Sequence, residues 1–281
     1  MTDLHYWLKL VIIIMTNKLN NISLILRKNI LDCIYKSGKG HIGGAYSCID
    51  ILTTLYFGEF ANMNWDDPKR DRFIMSKGHA AIAQYAILNY LGLISEKDFM
   101  NMNNGGILGE HPDINVPGIE FNTGSLGHGL GVGVGFALAD RTRFNYVLLG
   151  DGECYEGSIW EAANLASHLK LHNLVAIVDR NNLCIHGNTE DVNQLEPFAD
   201  KWKAFGWNVV GVDGHNHEDL LDTLSMPPAP NFLQVDELMP TVIIADTIKG
   251  KGVSFMENNH KWHHGGINKE TYDKAMEELN G

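Results

Sequence analysis

The sequence predicts an α/β fold: a parallel central sheet covered by helices on both faces. Three observations carry this expectation. Short, continuously apolar runs recur in the second half of the chain, YVLL (146–149), LVAIV (174–178), NVVGV (208–212) and TVIIA (241–245), and strands buried on both faces lose the apolar–polar alternation of half-exposed ones. A helix-like segment, EGSIWEAANLASHLKL, separates the first two runs, which makes a βαβ unit. The composition, 44% hydrophobic and 20% charged with 29 glycines in 281 residues, allows one large core and argues against disorder.

The elements follow in order. LHYWLKLVIIIM (4–15) is apolar but too short to span a bilayer, and it lacks the basic start and small-residue cleavage site of a signal peptide. Residues 1–16 therefore read as a disordered N-terminal extension that the fold does not need, with Met15 as an alternative start. From Asn17 the pattern is helical, Ile22, Leu26, Ile30 and Ile34 forming one stripe. KSGKGHIGGAYS then reads as a glycine-rich loop entering a helix at IDILTTLYF. Phe73–Met75 is a short buried strand that breaks into a loop at Ser76–His79, and AIAQYAILNYLG is a helix. Residues 101–118 lack periodicity and form a loop. TGSLGHGLGVGVGFALAD (123–140) opens glycine-rich and ends as a helix; its alternating glycines do not fit a dinucleotide fingerprint and suggest a helix pressed on another backbone. Met226–Pro230 reads as a surface loop, and KETYDKAMEEL as a final amphipathic helix. Residues 17–281 are expected to form a single domain.

A formal charge of −12 disfavours nucleic acid and anionic membranes as partners, because both need a basic face. Cys33, Cys48, Cys154 and Cys184 show no C-x-x-C spacing, which favours reduced, mostly buried thiols and a cytoplasmic location.

In NYVLLGDGECYEG the apolar run stops at Asp151, held between Gly150 and Gly152. The second strand of the same βαβ unit ends in DRNNL. Parallel strands bring both carboxyl ends to one edge of the sheet, where such folds bind ligands. Asp151 and Asn181 can then offer oxygen ligands to one Mg2+ or Ca2+, and Gly152 lets backbone N–H groups approach a phosphate. Taken singly, Asp151 reads as a helix cap and Asn181–Asn182 as a turn; their pairing favours a metal–diphosphate site.

GDGECYEG followed by DRNNL resembles the thiamin diphosphate signature. With GKGHIGG, DRFIMSKGHA, GEHPDINVPGIEFNTGSLGHGLG and IKGKGVSFMENNHKWHHG, the chain from about Asn17 onward resembles the N-terminal, diphosphate-binding half of transketolase. The resemblance implies a metal held by Asp151, Asn181 and the main-chain carbonyl of Leu183. It implies that Gly152, His79 and His264 contact the diphosphate, that Gly124 and Leu126 flank the cofactor rings, and that Glu153 and Asn181 also belong to the cofactor-binding set. His41, His111 and His264 would line the substrate channel, and Glu156 would lie at a contact between subunits.

Thirteen histidines is a high count. His5, His168, His172 and His217 read as ordinary surface or core residues, whereas His41, His79 and His111 each adjoin glycine or proline in a loop. His260, His263 and His264 could be read as a transition-metal cluster; the resemblance favours a diphosphate contact at His264, with His263 one residue away.

The resemblance implies transfer of a two-carbon ketol unit from a ketose (phosphate) to an aldose (phosphate). In the family, the glutamate that activates the cofactor and the pocket for its pyrimidine ring belong to the C-terminal half, and this sequence stops at Gly281. A split enzyme is expected, inactive alone and paired with a pyrimidine-binding chain as a heterotetramer. Ile42 stands where the family carries proline, and Gly266–Ile267 where it carries Ala-Pro. These departures leave room for a branched or unusual acceptor sugar beside a pentose-phosphate role. Alternatives are a deoxyxylulose-phosphate synthase-like or 2-oxo acid dehydrogenase alpha-like chain, a non-catalytic diphosphate-binding protein, or a metal-dependent hydrolase.

Overall fold

The structure, a computed structural model, describes residues 2–225 and 239–281, with side chains from residue 10 onward. The expected loop at Met226–Pro230 lies outside the described residues. The strands are β1 (Arg72–Met75), β2 (Asn145–Gly150), β3 (Leu174–Arg180), β4 (Leu183–Cys184), β5 (Gly187–Asn188), β6 (Asn208–Asp213) and β7 (Thr241–Asp246). The main sheet runs β1-β2-β3-β7-β6, every pairing parallel, while β4 and β5 form a small antiparallel hairpin. All four apolar runs, and Phe73–Met75, are strands of this sheet.

The helices are α1 (Thr2–Ser37), α2 (Ile42–Phe57), α3 (Ala81–Tyr90), α4 (Glu96–Met100), α5 (Gly129–Ala139), α6 (Gly157–His168), α7 (Thr189–Val192), α8 (Phe198–Ala204), α9 (His217–Leu224) and α10 (Lys269–Asn280). Successive strand residues face opposite sides of a sheet, and β2 shows how both sides are filled. Tyr146 and Leu148 join one core with Leu26, Ile30, Ile49 and Leu52 of α1 and α2. Val147 and Leu149 join a second core with Leu130 and Val134 of α5 and Ile159 and Ala163 of α6.

Three elements depart from expectation. First, α1 is helical from Thr2, so residues 2–16 continue the helix and are not a disordered arm. By length and composition Leu10–Ser37, at hydropathy 1.3, could cross a membrane. From Leu19 onward, however, its stripe is buried in the core, and mid-helix Arg27 makes two hydrogen bonds, of 2.8 and 2.7 Å, to the buried Asp50 carboxylate of α2.

Second, Gly43 and Gly44 lie in the first turn of α2 instead of a loop. Their lack of side chains serves packing: a Cβ on Gly43 would stand 2.7 Å from the Trp262 carbonyl oxygen, and one on Gly44 would stand 3.3 Å from His79 Nε2. Third, only half of the α5 glycines are pressed against the sheet. A Cβ on Gly133 would lie 2.6 Å from Val147 Cγ2, and one on Gly129 would lie 2.3 Å from Ser76 Oγ, whereas Gly131 and Gly135 face open space. The four cysteines are free thiols, with Cys33, Cys48 and Cys154 buried.

Candidate active site

The carboxyl ends of β1, β2, β3 and β7 open into one cavity of about 380 Å³. β2 and β3 are direct neighbours, with Gly150 opposite Asp179, so Asp151 and Asn181 stand side by side as the βαβ argument requires. Both line the cavity, with Gly152 between them and the hairpin that carries Leu183 and Cys184. Asp151 is 2% exposed. Its Oδ1 accepts from Gly152 N–H at 2.7 Å and its Oδ2 from Asn182 N–H at 2.6 Å. The capping reading of Asp151 is therefore realised too, on the short 3-10 turn Gly152–Tyr155. Asn181 Oδ1 accepts from Leu183 N–H at 3.1 Å.

Two amide donors do not fully compensate the buried Asp151 charge. Burial, with the Asp179 charge adding to it, pushes its carboxyl up to about 6, and the Arg180 guanidinium is 3.9 Å away. A carboxylate destabilised in this way, beside an amide oxygen and a main-chain carbonyl in an open cavity, is a donor set that a hard divalent cation would satisfy. The residues present fit such an ion.

Beneath this pair lies a network that sequence reasoning missed. Asp179, fully buried, accepts from Ser47 Oγ at 2.6 Å, from Lys77 Nζ and from Thr247 Oγ1, and Asn181 Nδ2 lies 3.3 Å away. Burial alone would raise its carboxyl, but the Lys77 ammonium holds it below the usual range. Lys77 also donates to the Gly44 carbonyl at 3.0 Å, tying the end of β1 to the start of α2. Glu153, expected at the cofactor, lines the cavity, yet its carboxylate turns inward. It accepts from Ser76 Oγ at 2.5 Å, Gly127 N–H at 2.9 Å and Gly150 N–H at 3.0 Å, and so ties the loop after β1 and the loop before α5 to the end of β2.

Lys249, just beyond β7, was also overlooked. It is 2% exposed and lines the cavity. Burial, with the positive Lys77 next, lowers its ammonium to about 8. Among the described residues no carboxylate lies within ion-pair distance of it; its side-chain partner is His263 Nδ1 at 3.4 Å. A buried cation facing an open cavity is suited to an anionic ligand. Lys77 and Lys249 follow apolar strands, in SKGH and IKGKG, and Asp179 lies at the end of one, in DRNN; that position was the signal available for finding them.

The histidines converge. The His41 ring centroid lies 4.4 Å from that of His264, 5.4 Å from His263, 5.5 Å from His79 and 6.3 Å from His111. His41, His79, His111 and His263 line the cavity. His264 turns instead toward Glu110 at the mouth, its Nε2 3.4 Å from Oε1. The expected position at His264 thus has its neighbour, His263, nearest Lys249. Burial leads in lowering three of these rings: His41 to about 4 with His264 adding, His263 to about 3 with Lys249 adding, and His79 well below its ordinary value. At neutral pH they are neutral imidazoles, each able to donate one hydrogen bond and accept another. Among the described residues the ligand atoms that approach as a candidate metal group belong to His41, Glu110 and His264, not to His260, His263 and His264.

Gly124 and Leu126 line the cavity from the loop before α5. Gly124 has a φ of +138°, and a Cβ there would lie 2.9 Å from His111 Cδ2, so glycine is what allows the two loops to meet. Glu156 lies outside the cavity lining, exposed at the start of α6.

The chain matches the family described as "Transketolase, thiamine diphosphate binding domain" over residues 19–280. It is 48% identical over 263 residues to one subunit of the apulose-4-phosphate transketolase of Phocaeicola vulgatus, covering 90% of each chain. It is 38% identical to the 6-deoxy-6-sulfo-D-fructose transketolase subunit SqwG of a Clostridium species, covering 91% of this chain and 94% of the relative. Among solved structures, the transketolase of Leishmania mexicana superposes with a TM-score of 0.85 at 28% identity, covering 93% of this chain and 41% of that longer one.

Proposed function

Because the chain belongs to the thiamine diphosphate binding domain family of transketolases, we propose that it is the N-terminal subunit of a split transketolase. The observation that carries this reading is the single cavity in which Asp151, Asn181 and Leu183 meet a buried, anion-seeking Lys249 and the rings of His41, His79, His111 and His263. Lys249, Gly152 and His79 would hold the diphosphate of thiamin diphosphate, and Asp151, Asn181 and the Leu183 carbonyl would hold its metal. Mg2+ or Ca2+ suits that oxygen set equally. When bound, the cofactor supplies a nucleophilic carbon and an electron sink for ketol transfer.

The protein's own residues bind, orient and move protons. Lys249 neutralises diphosphate charge in a low-dielectric site, where such charge is most costly to bury. His41 and His111, with His264 at the mouth, face a sugar entering the cavity. A neutral imidazole can hold one sugar hydroxyl by donating its N–H, and its unprotonated ring nitrogen can accept the proton of another. Gly124 and Leu126 would shape the wall against the cofactor rings.

Residues 17–281 act in this reading as one domain that supplies the metal and diphosphate half of the site. A second, pyrimidine-binding chain supplies the other half, the two pairing as a heterotetramer in the cytoplasm, with Glu156 at the contact. The similar subunits are named for apulose-4-phosphate and 6-deoxy-6-sulfo-D-fructose, which favours a specialised ketose over the common pentose phosphates. Purifying this chain with and without its partner and assaying ketol transfer from a panel of ketoses tests the reading. Activity is expected only in the pair, and full activity from this chain alone would overturn it.

A further inference from the structure

Lys249 sits on a turn whose backbone must be held for its ammonium to face the cavity. Thr247 N–H donates to Arg180 O at 3.1 Å, Gly250 N–H donates to Gly43 O at 3.0 Å, and the Lys249 carbonyl accepts from Asn258 N–H at 3.0 Å. A further anchor comes from a side chain outside the cavity lining. Ile248 N–H donates to His215 Nε2 at 2.8 Å, and His215 Nδ1 lies 2.7 Å from Asp50 Oδ2. Asp50 is itself buried and held by Arg27.

This chain of contacts fixes the tautomer. An Nε2 that accepts from a backbone N–H carries no proton, so the proton is on Nδ1, donated to the Asp50 carboxylate. The local sequence VDGHN builds the approach. Asp213 Oδ1 accepts from His215 N–H at 2.9 Å, and Asn216 caps α9. Gly214 is required because a Cβ there would stand 2.4 Å from Thr247 Cγ2, on the same turn that carries Lys249.

We propose that His215, oriented by Asp50, is a positioning residue that sets the Lys249 turn and so tunes affinity for the diphosphate of the cofactor. This inference rests on the reading of the cavity as a thiamin diphosphate site. His215 lines a separate pocket with Arg27, Asp50 and Lys251 and reaches the ligand only through the backbone of residue 248.

The test uses two variants that split the ring's two functions. The His215→Asn side chain can keep a bond at the Nδ1 position, toward Asp50, but cannot reach Ile248 N–H; His215→Gln places an amide oxygen near the Nε2 position and can. Thiamin diphosphate affinity is measured by titration in the full chain assembled with its partner, and amide hydrogen exchange is followed at Ile248 in the full chain. Losing one buried hydrogen bond of about 1.4 kcal/mol corresponds to about tenfold weaker binding in His215→Asn. His215→Gln should stay near wild type. The effect of His215→Asn should vanish in a Lys249→Met background, because a residue acting through another shows full coupling in a double-mutant cycle. Equal weakening by both His215 variants, an effect that persists in Lys249→Met, or unchanged Ile248 exchange in His215→Asn would each overturn the proposal. Wild-type protein that binds no thiamin diphosphate would instead sink the reading of the cavity, while Ile248 exchange would still report on the His215 anchor.

Discussion

Replacing Lys249 with methionine separates the cost of a buried cation from its use. The ammonium is lowered from 10.5 to about 8 by burial first and by Lys77 second. That displacement corresponds to about 3 kcal/mol at about 1.4 kcal/mol per unit. The unfolded chain binds the Lys249 proton more tightly than the native one, so between about pH 8 and 10.5 this group makes stability rise with pH, and below pH 8 the full cost is carried. Lys249→Met removes the charge and keeps most of the stem. The cofactor-free protein should gain stability at pH 7, up to about 3 kcal/mol in denaturant unfolding, while losing affinity for thiamin diphosphate.

The same ammonium sets the pH dependence of binding. One unit above its value of about 8, only about a tenth of free protein carries the charge, so wild-type affinity should fall about tenfold per pH unit beyond that point. The Met variant should lack that slope. Isothermal titration of both proteins between pH 7 and 9.5 measures it. Parallel pH profiles for wild type and variant would refute the assignment of Lys249 as the diphosphate's counter-charge.

Asp179→Asn should lower stability by about 3–5 kcal/mol, since it strands the buried Lys77 ammonium, and chemical denaturation would show the loss. Glu153→Gln turns an amide N–H2 toward donors that now meet a carboxylate; with at least one of Ser76 Oγ, Gly127 N–H and Gly150 N–H unsatisfied, about 1–3 kcal/mol should be lost, read as a fall in melting temperature. Gly78→Ala would place a Cβ 2.6 Å from Gly124 N, so the loop that carries Gly124 must shift; cofactor affinity should fall more than tenfold, a loss of about 1.4 kcal/mol or more, while the melting temperature changes little. Chelation should abolish cofactor retention in wild type, and Asp151→Asn should require a higher Mg2+ concentration to restore it, measured by retained thiamin diphosphate after gel filtration.

Much of the fold was legible in one dimension because its strands are buried on both faces. Full burial turns YVLL, LVAIV and TVIIA into uninterrupted apolar runs, and the run ends mark the sheet edge. Asp151 and Asn181 could be paired from sequence because a single helix connects two parallel strands, which fixes both ends to one edge. The helical glycines of α2 and α5 were harder to read. Glycine lowers local helix propensity, so a sequence pattern takes it for a loop, whereas tertiary contact with Trp262, Ser76 and Val147 requires it inside or at the start of a helix.

The sequence by itself determined the layered parallel architecture, the family, and the strand ends that line the candidate site, since these depend on burial pattern and on residues close along the chain. Only the tertiary structure decided which charges are compensated. Lys77 finds Asp179, while among the described residues Lys249 finds no carboxylate; His263 enters the cavity while His264 turns to Glu110; and His215, remote in sequence from Asp50, bridges it to the turn of Lys249. Electrostatic partnership depends on distances of a few ångströms between segments far apart in the chain, and linear spacing carries no record of those distances.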